Sequence, residues 1–100
     1  MAKTRTHAAA HRALLRVFEL FGHPIRVTIF QRLAQAPMTA GELAKGLPIT
    51  RPAVVQHLKR LEAARLVNAA TEGRRRVYSI QPAGLAPLNR WLETYWENQR

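Results

Sequence analysis

Residues 39–61 carry the tightest constraint in the chain: T-A-G-E at 39–42, then Gly46 and Pro48, then T-R-P at 50–52. Thr39 and Glu42 stand three apart, the spacing of a capping box, in which each side chain answers a free backbone N–H of the other's residue. A short helix carrying Leu43 and Ala44 is expected to start there, and Gly46 and Pro48 close it. Thr50 then caps a longer helix, RPAVVQHLKRLEAARL, with Pro52 in the first turn, where a missing N–H is tolerated. Val54, Leu58 and Leu61 recur at i, i+4 and i+7 and give this helix one apolar face. Two helices joined by a turn of about four residues form a helix-turn-helix.

The flanks extend this motif. A helical pattern from about Ala9 to Phe21 holds Leu14, Leu15, Val17, Phe18 and Phe21, and Gly22 ends it. Pro24 opens a second helix to about Ala36, with Ile25, Ile29 and Leu33 stacked, before Pro37. After the motif come two β-prone runs, LVNAA (66–70) and RVYSI (76–80), with TEGRR as the loop between them. Beyond Pro82 the helical period returns through Leu85, Leu88, Leu92, Tyr95 and Trp96, with Trp91 beside them. The order predicts a mainly α chain with a small β-hairpin, a winged helix-turn-helix with an extra helix at each end. Residues 1–8 are expected to be a mobile basic tail and 9–98 a single domain for DNA binding and dimerisation.

Charge and composition narrow the function. The chain has 100 residues and a net charge of +10, from 16 Lys and Arg against 6 Asp and Glu. Such an excess draws a polyanion, with nucleic acid the first candidate and an anionic membrane surface the second. No apolar run reaches the length of a membrane span, and the basic N-terminus lacks the apolar core of a signal peptide, so a cytoplasmic protein is expected. The absence of cysteine excludes disulfides, thiol catalysis and thiolate metal sites. No Gly-rich phosphate loop follows a strand, and no Ser-His-Asp set or carboxylate pair stands out. Neither an enzyme nor a cofactor is expected.

The residues expected to meet DNA follow from helical geometry. With Val54 at the centre of the buried stripe and about 100° per residue, Pro52, Gln56, Lys59, Arg60 and Ala63 fall on the far side. Val55 and His57 flank the stripe. Gln56 can make paired hydrogen bonds to adenine in the major groove, and Val55 can touch a thymine methyl. Arg51, Lys59 and Arg60 can reach phosphate or guanine. An ordinary amphipathic helix with a solvated face would show the same pattern. The hairpin favours the DNA reading, because Arg74, Arg75 and Arg76 follow Gly73 in a row and suit phosphates or a narrow minor groove.

Nearly half the residues are hydrophobic, at 47%, which is rich for so short a chain and points to a second apolar surface. Leu14, Phe18 and Phe21 on the first helix, with Leu88, Trp91, Leu92, Tyr95 and Trp96 on the last, are the candidates for a dimer interface. A two-fold dimer would set two recognition helices about one DNA turn apart, on a palindrome. His7 and His11 share a helix face, but Lys3, Arg5 and Arg12 surround them, so no metal site is assigned. His23, before Pro24, reads as a turn or capping residue.

At these residues the chain resembles the ArsR/SmtB family of winged-helix repressors. The resemblance covers Leu14 to Trp96 and rests on HPIRVTIFQRL, on TAGELAKGLPITRPAVVQHLKRLEAARLV, and on EGRRRVYSI with GLAPLNRWLETYW. It implies a homodimer formed mainly by the first and last helices, repression at an inverted-repeat operator, and release by a small inducer, commonly a metal ion. The family's DNA-reading positions fall on Thr50, Arg51, Gln56 and His57, with the wing arginines on the backbone or minor groove. Val55 departs from the hydroxyl residue often found before Gln56. Ala44 and Gly46 stand where metal sensors of the family carry cysteines, and the last helix has Glu93 and Glu97 but no His. The resemblance therefore implies a regulator without the usual metal site, its inducer unknown. An activator or anti-silencer, and a winged-helix protein-binding module, are the alternative readings.

Overall fold

The computed structural model describes residues 2–98, with side chains over 8–96. Helix α1 runs Ala2–Phe21, α2 Pro24–Gln35, α3 Ala40–Ala44, α4 Arg51–Ala63 and α5 Ala86–Asn98. Strands are β1 Met38–Thr39, β2 Val67–Glu72 and β3 Arg75–Ile80, and a 3-10 turn over Pro82–Leu85 leads into α5. Helix α1 begins at Ala2, not near Ala9, so the segment 2–8 read as a tail has helical backbone. Its alanines and long basic residues are strong helix formers.

The core lies where α2, α3, α4 and the sheet meet. Ile29, Leu43, Val54, Leu58, Leu61, Leu66 and Val67 are fully buried, and the stripe Val54, Leu58, Leu61 expected on α4 supplies three of them. The two caps read from sequence both form. Thr39 Oγ1 accepts from the Glu42 N–H at 3.2 Å while Glu42 Oε1 accepts from the Thr39 N–H at 2.9 Å. Thr50 Oγ1 accepts from the Ala53 N–H at 3.3 Å.

Two arginines lock the helices together by answering carbonyls that a helix end leaves free. Arg32 on α2 donates through Nη1 to the Leu43 and Lys45 carbonyls at the end of α3, at 2.8 and 2.7 Å. Arg26, the buried charge among the described residues, donates through Nε to the Leu20 carbonyl at 2.7 Å and so closes the end of α1. The angle between α3 and its neighbours is thus set by charge-assisted hydrogen bonds as well as by packing.

The sheet is antiparallel with order β1-β3-β2, and Met38 and Thr39 pair with Tyr78 and Val77. Strand β1 was not expected, since two residues are too few to show a period. The hairpin is also tighter than expected. Glu72 pairs with Arg75, so Arg75 and Arg76 are strand residues and the turn is Gly73-Arg74 alone. Gly73, at φ 65, takes the left-handed position that such a two-residue turn demands.

Helix α4 ends in a Schellman motif. The Leu66 N–H bonds the Leu61 carbonyl and the Arg65 N–H bonds the Glu62 carbonyl, both at 2.9 Å. Arg65 therefore sits at φ 59, the position glycine usually fills. Gly84 packs directly on this turn. A Cβ there would overlap the Arg65 carbonyl oxygen and lie 2.6 Å from its carbon.

Candidate nucleic-acid interface

Helix α4 and the wing bound a cleft of about 520 Å³, floored by Thr39, Gly41 and Tyr78. Arg51, Val55 and Lys59 enter it from α4, and Arg74, Arg75 and Arg76 enter from the hairpin. Six of the ten residues read from sequence as DNA contacts therefore line one concavity, and five are cations. Two chain segments more than ten residues apart thus concentrate positive charge on one face, which would draw a polyanion there.

The wing arginines are held in different ways. Arg75 Nη2 donates to Glu42 Oε1 at 3.0 Å, so the carboxylate that caps α3 also anchors the hairpin. These contacts, led by the Thr39 N–H and hydroxyl, hold the Glu42 carboxyl below its ordinary range. Arg76 donates through Nε to the Tyr78 hydroxyl at 3.2 Å, lies 5.6 Å from that ring's centre, and approaches Glu62 on α4 at 3.5 Å. Its guanidinium is held yet more firmly charged, first by the tyrosine. Among the described residues Arg74, at the turn tip, makes no ion pair. These pairs are exposed and weak individually. They orient the wing while leaving its guanidiniums within reach of a polyanion.

The other four residues lie elsewhere on α4 or at its cap. Gln56 and Arg60 are exposed on the outer side, beside Arg16 and Glu19 of α1. Thr50 is exposed, and its hydroxyl, already accepting the cap bond, keeps its own proton to donate. His57 is not in the cleft. Its ring is half-buried against that of His23, with centres 4.8 Å apart. Burial first, then His23, Arg26 and Arg60, push its pKa down, so the neutral ring is favoured. His23 is the cap of α2, its Nδ1 accepting from the Ile25 N–H at 3.3 Å.

Glu42, Glu62 and Tyr78 are site residues that the sequence reading missed as such. Glu42 was legible as a cap, but no sequence signal links it to Arg75, 33 residues on.

The terminal helices carry the apolar face. Leu15, Phe18, Trp91, Leu92, Tyr95 and Trp96 are exposed, and Leu14 and Leu88 are half-buried. Phe18 meets Trp91 edge-on at 5.0 Å and Trp91 meets Tyr95 at 5.1 Å, so an aromatic row crosses from α1 to α5. Phe21 instead packs on Phe30 of α2 at 5.0 Å, within the protomer.

A family described as a helix-turn-helix domain matches residues 21–68. The HTH-type transcriptional regulator Rv2034 of Mycobacterium tuberculosis is 44% identical over 88 residues, 88% of this chain and 82% of its own length. The solved structure of an ArsR-like transcriptional regulator from Rhodococcus sp. RHA1 is 31% identical, covers 91% of this chain and 89% of its own, and has a TM-score of 0.77. The chain belongs to the ArsR/SmtB family. It is a DNA-binding transcriptional regulator of the winged helix-turn-helix type, and not an enzyme. A homodimeric winged helix-turn-helix domain from Mycobacterium bovis shares the fold at 24% identity and a TM-score of 0.73, covering 93% of this chain and 86% of its own.

Within this ArsR/SmtB chain, no three His, Asp or Glu side chains gather closely enough to hold a metal among the described residues. The side chains of His7 and Glu97 lie outside those described. No helix among them is long and apolar enough to cross a membrane.

Proposed function

We propose that this regulator is a cytoplasmic homodimeric repressor that occludes a promoter by binding an inverted repeat. The observation that carries the reading is the convergence of Arg51 and Lys59 on α4 with Arg74, Arg75 and Arg76 of the wing around one cleft. In this reading the N-terminal half of α4 enters the major groove. Gln56, exposed and without a partner side chain among the described hydrogen bonds, reads adenine, assisted by Thr50 and Arg51. Val55, which lines the cleft, lies where a thymine methyl would be met. Lys59, Arg60 and the wing arginines take the phosphates. His57 shapes the helix surface through His23 and contributes to base reading only at its exposed edge.

The dimer forms through the aromatic row. Among the described residues six large apolar side chains stand exposed, a surface that a second copy would bury. The interface comprises Leu14, Phe18, Leu88, Trp91, Leu92, Tyr95 and Trp96, while Phe21 of α1 turns to Phe30 of its own protomer. Release from the operator does not use a cysteine metal site; a partner protein or simple autoregulation at its own promoter serves in place of a metal inducer.

An anisotropy titration tests the reading. The protein is titrated with the DNA upstream of its own gene and with scrambled DNA of equal length, at two salt concentrations and with and without a chelator. Selective, chelator-insensitive binding by a dimer is expected. Gln56→Ala should weaken binding to the specific DNA by about 1–3 kcal/mol, with little effect on the scrambled one. Equal losses on both would remove Gln56 from base reading.

A further inference from the structure

A second cleft, of about 500 Å³, opens between α1, the C-terminal end of α4 and the 3-10 turn. Its floor is made of small apolar groups, among them Ala13, Ala64 and Gly84. Its rim carries Arg12, Arg16 and Arg65, and among the described residues no Asp or Glu lines it. Arg12 and Arg16 are four apart and share a face of α1, where like charges repel. Among the described residues none of the three guanidiniums has an ion-pair partner.

Arg65 adds an independent sign. It holds φ 59, where glycine would sit without strain, so its side chain is kept at a conformational cost. Such strain is expected where a side chain has a task. The cleft shares Arg16 with the outer face of α4 that carries Gln56 and Arg60, but it lies apart from the aromatic row and from the wing cleft. Arg16 is two residues from Phe18, about 160° around the helix, so the aromatic row can be covered by a second copy while the cleft stays open. The wing cleft lies across α4, bounded by α3 and β3.

We propose that this cleft binds a small organic anion with an apolar body. The guanidinium forks take the carboxylate, or a group of like charge, and the small-residue floor takes a ring or short chain. The volume fits one such ligand.

The test uses 1-naphthoate, titrated calorimetrically into the full-length protein in the absence of DNA, with 1-naphthalenemethanol as the uncharged control. Saturable binding at one site per protomer is expected, with the alcohol at least about tenfold weaker. Arg65→Gly suits the backbone it replaces and should melt no lower than the parent, yet weaken naphthoate at least about tenfold. Arg12→Gln should act in the same direction. Absence of saturation, equal affinity for the alcohol, or unchanged affinity in Arg65→Gly overturns the proposal. So does an Arg65→Gly variant that loses DNA affinity and keeps naphthoate binding, since the arginines would then serve phosphates. Because no DNA enters the titration, a failed operator assay leaves this result standing.

Discussion

Adding one methyl group at Gly84 should unfold this protein more readily than any surface change. The Cβ of Gly84→Ala would overlap the Arg65 carbonyl oxygen and lie 2.8 Å from the Leu66 nitrogen. Neither atom can retreat. The Leu66 N–H is bonded to the Leu61 carbonyl, the Leu66 carbonyl accepts from the Gln81 N–H at 2.9 Å, and the Leu66 side chain is fully buried. Overpacking costs about 1–3 kcal/mol, and a clash with pinned backbone belongs at the upper end. Against a total stability of about 5–15 kcal/mol, a loss of about 3 kcal/mol is large. For a domain of this size it lowers the melting temperature by about 12–24 °C. Circular dichroism melts of both proteins at one protomer concentration measure it. Since Gly84 lies outside both α4 and the wing cleft, DNA affinity should persist at a temperature where the variant is still folded. A melt within a degree of the parent would show that the 3-10 turn shifts freely, and would refute the reasoning.

Three further outcomes follow from the same geometry. Thr50→Ala removes the α4 cap and should cost about 1 kcal/mol in a urea melt, with Thr50→Ser restoring most of it. Equal stability of the alanine variant would mean that water caps the helix as well. The lowered pKa of His57 means that the unfolded chain binds its proton more readily than the native one. Stability from this group is therefore full above about pH 6.5 and declines as pH falls below it. His57→Leu should flatten that part of a pH–stability curve, and an unchanged slope would assign it to other groups. Trp96→Asp puts a charge into the aromatic row and should weaken self-association by at least about tenfold in sedimentation, as for a central aromatic contact. Unchanged association would place the interface elsewhere.

Local chemistry made much of this molecule legible. The capping box at Thr39 and Glu42, the Thr50 cap, Pro52 in the first turn of α4 and the stripe Val54, Leu58, Leu61 all appear as read, because each is written within one or two helical turns. Gly73 likewise marked the hairpin, since left-handed φ is a property of a single residue. The exposure of Gln56, Lys59 and Arg60 followed from the same helical period.

Pairings between distant segments were not legible. Strand β1 exists because β3 offers Met38 and Thr39 an edge, not because two residues have a β pattern. Glu42 meets Arg75 only once the hairpin folds back over α3, and the His57 ring meets that of His23 only because α2 packs beside α4. Phe21 looked like its interface neighbours but packs inward on Phe30, because Gly22 turns α2 back beside it. Sequence alone determined the caps and turn residues that bound α2, α3 and α4, and which face of α4 is apolar. Tertiary structure alone decided which charges share a cleft and which aromatics stay exposed, because those depend on contacts between segments that no local period records.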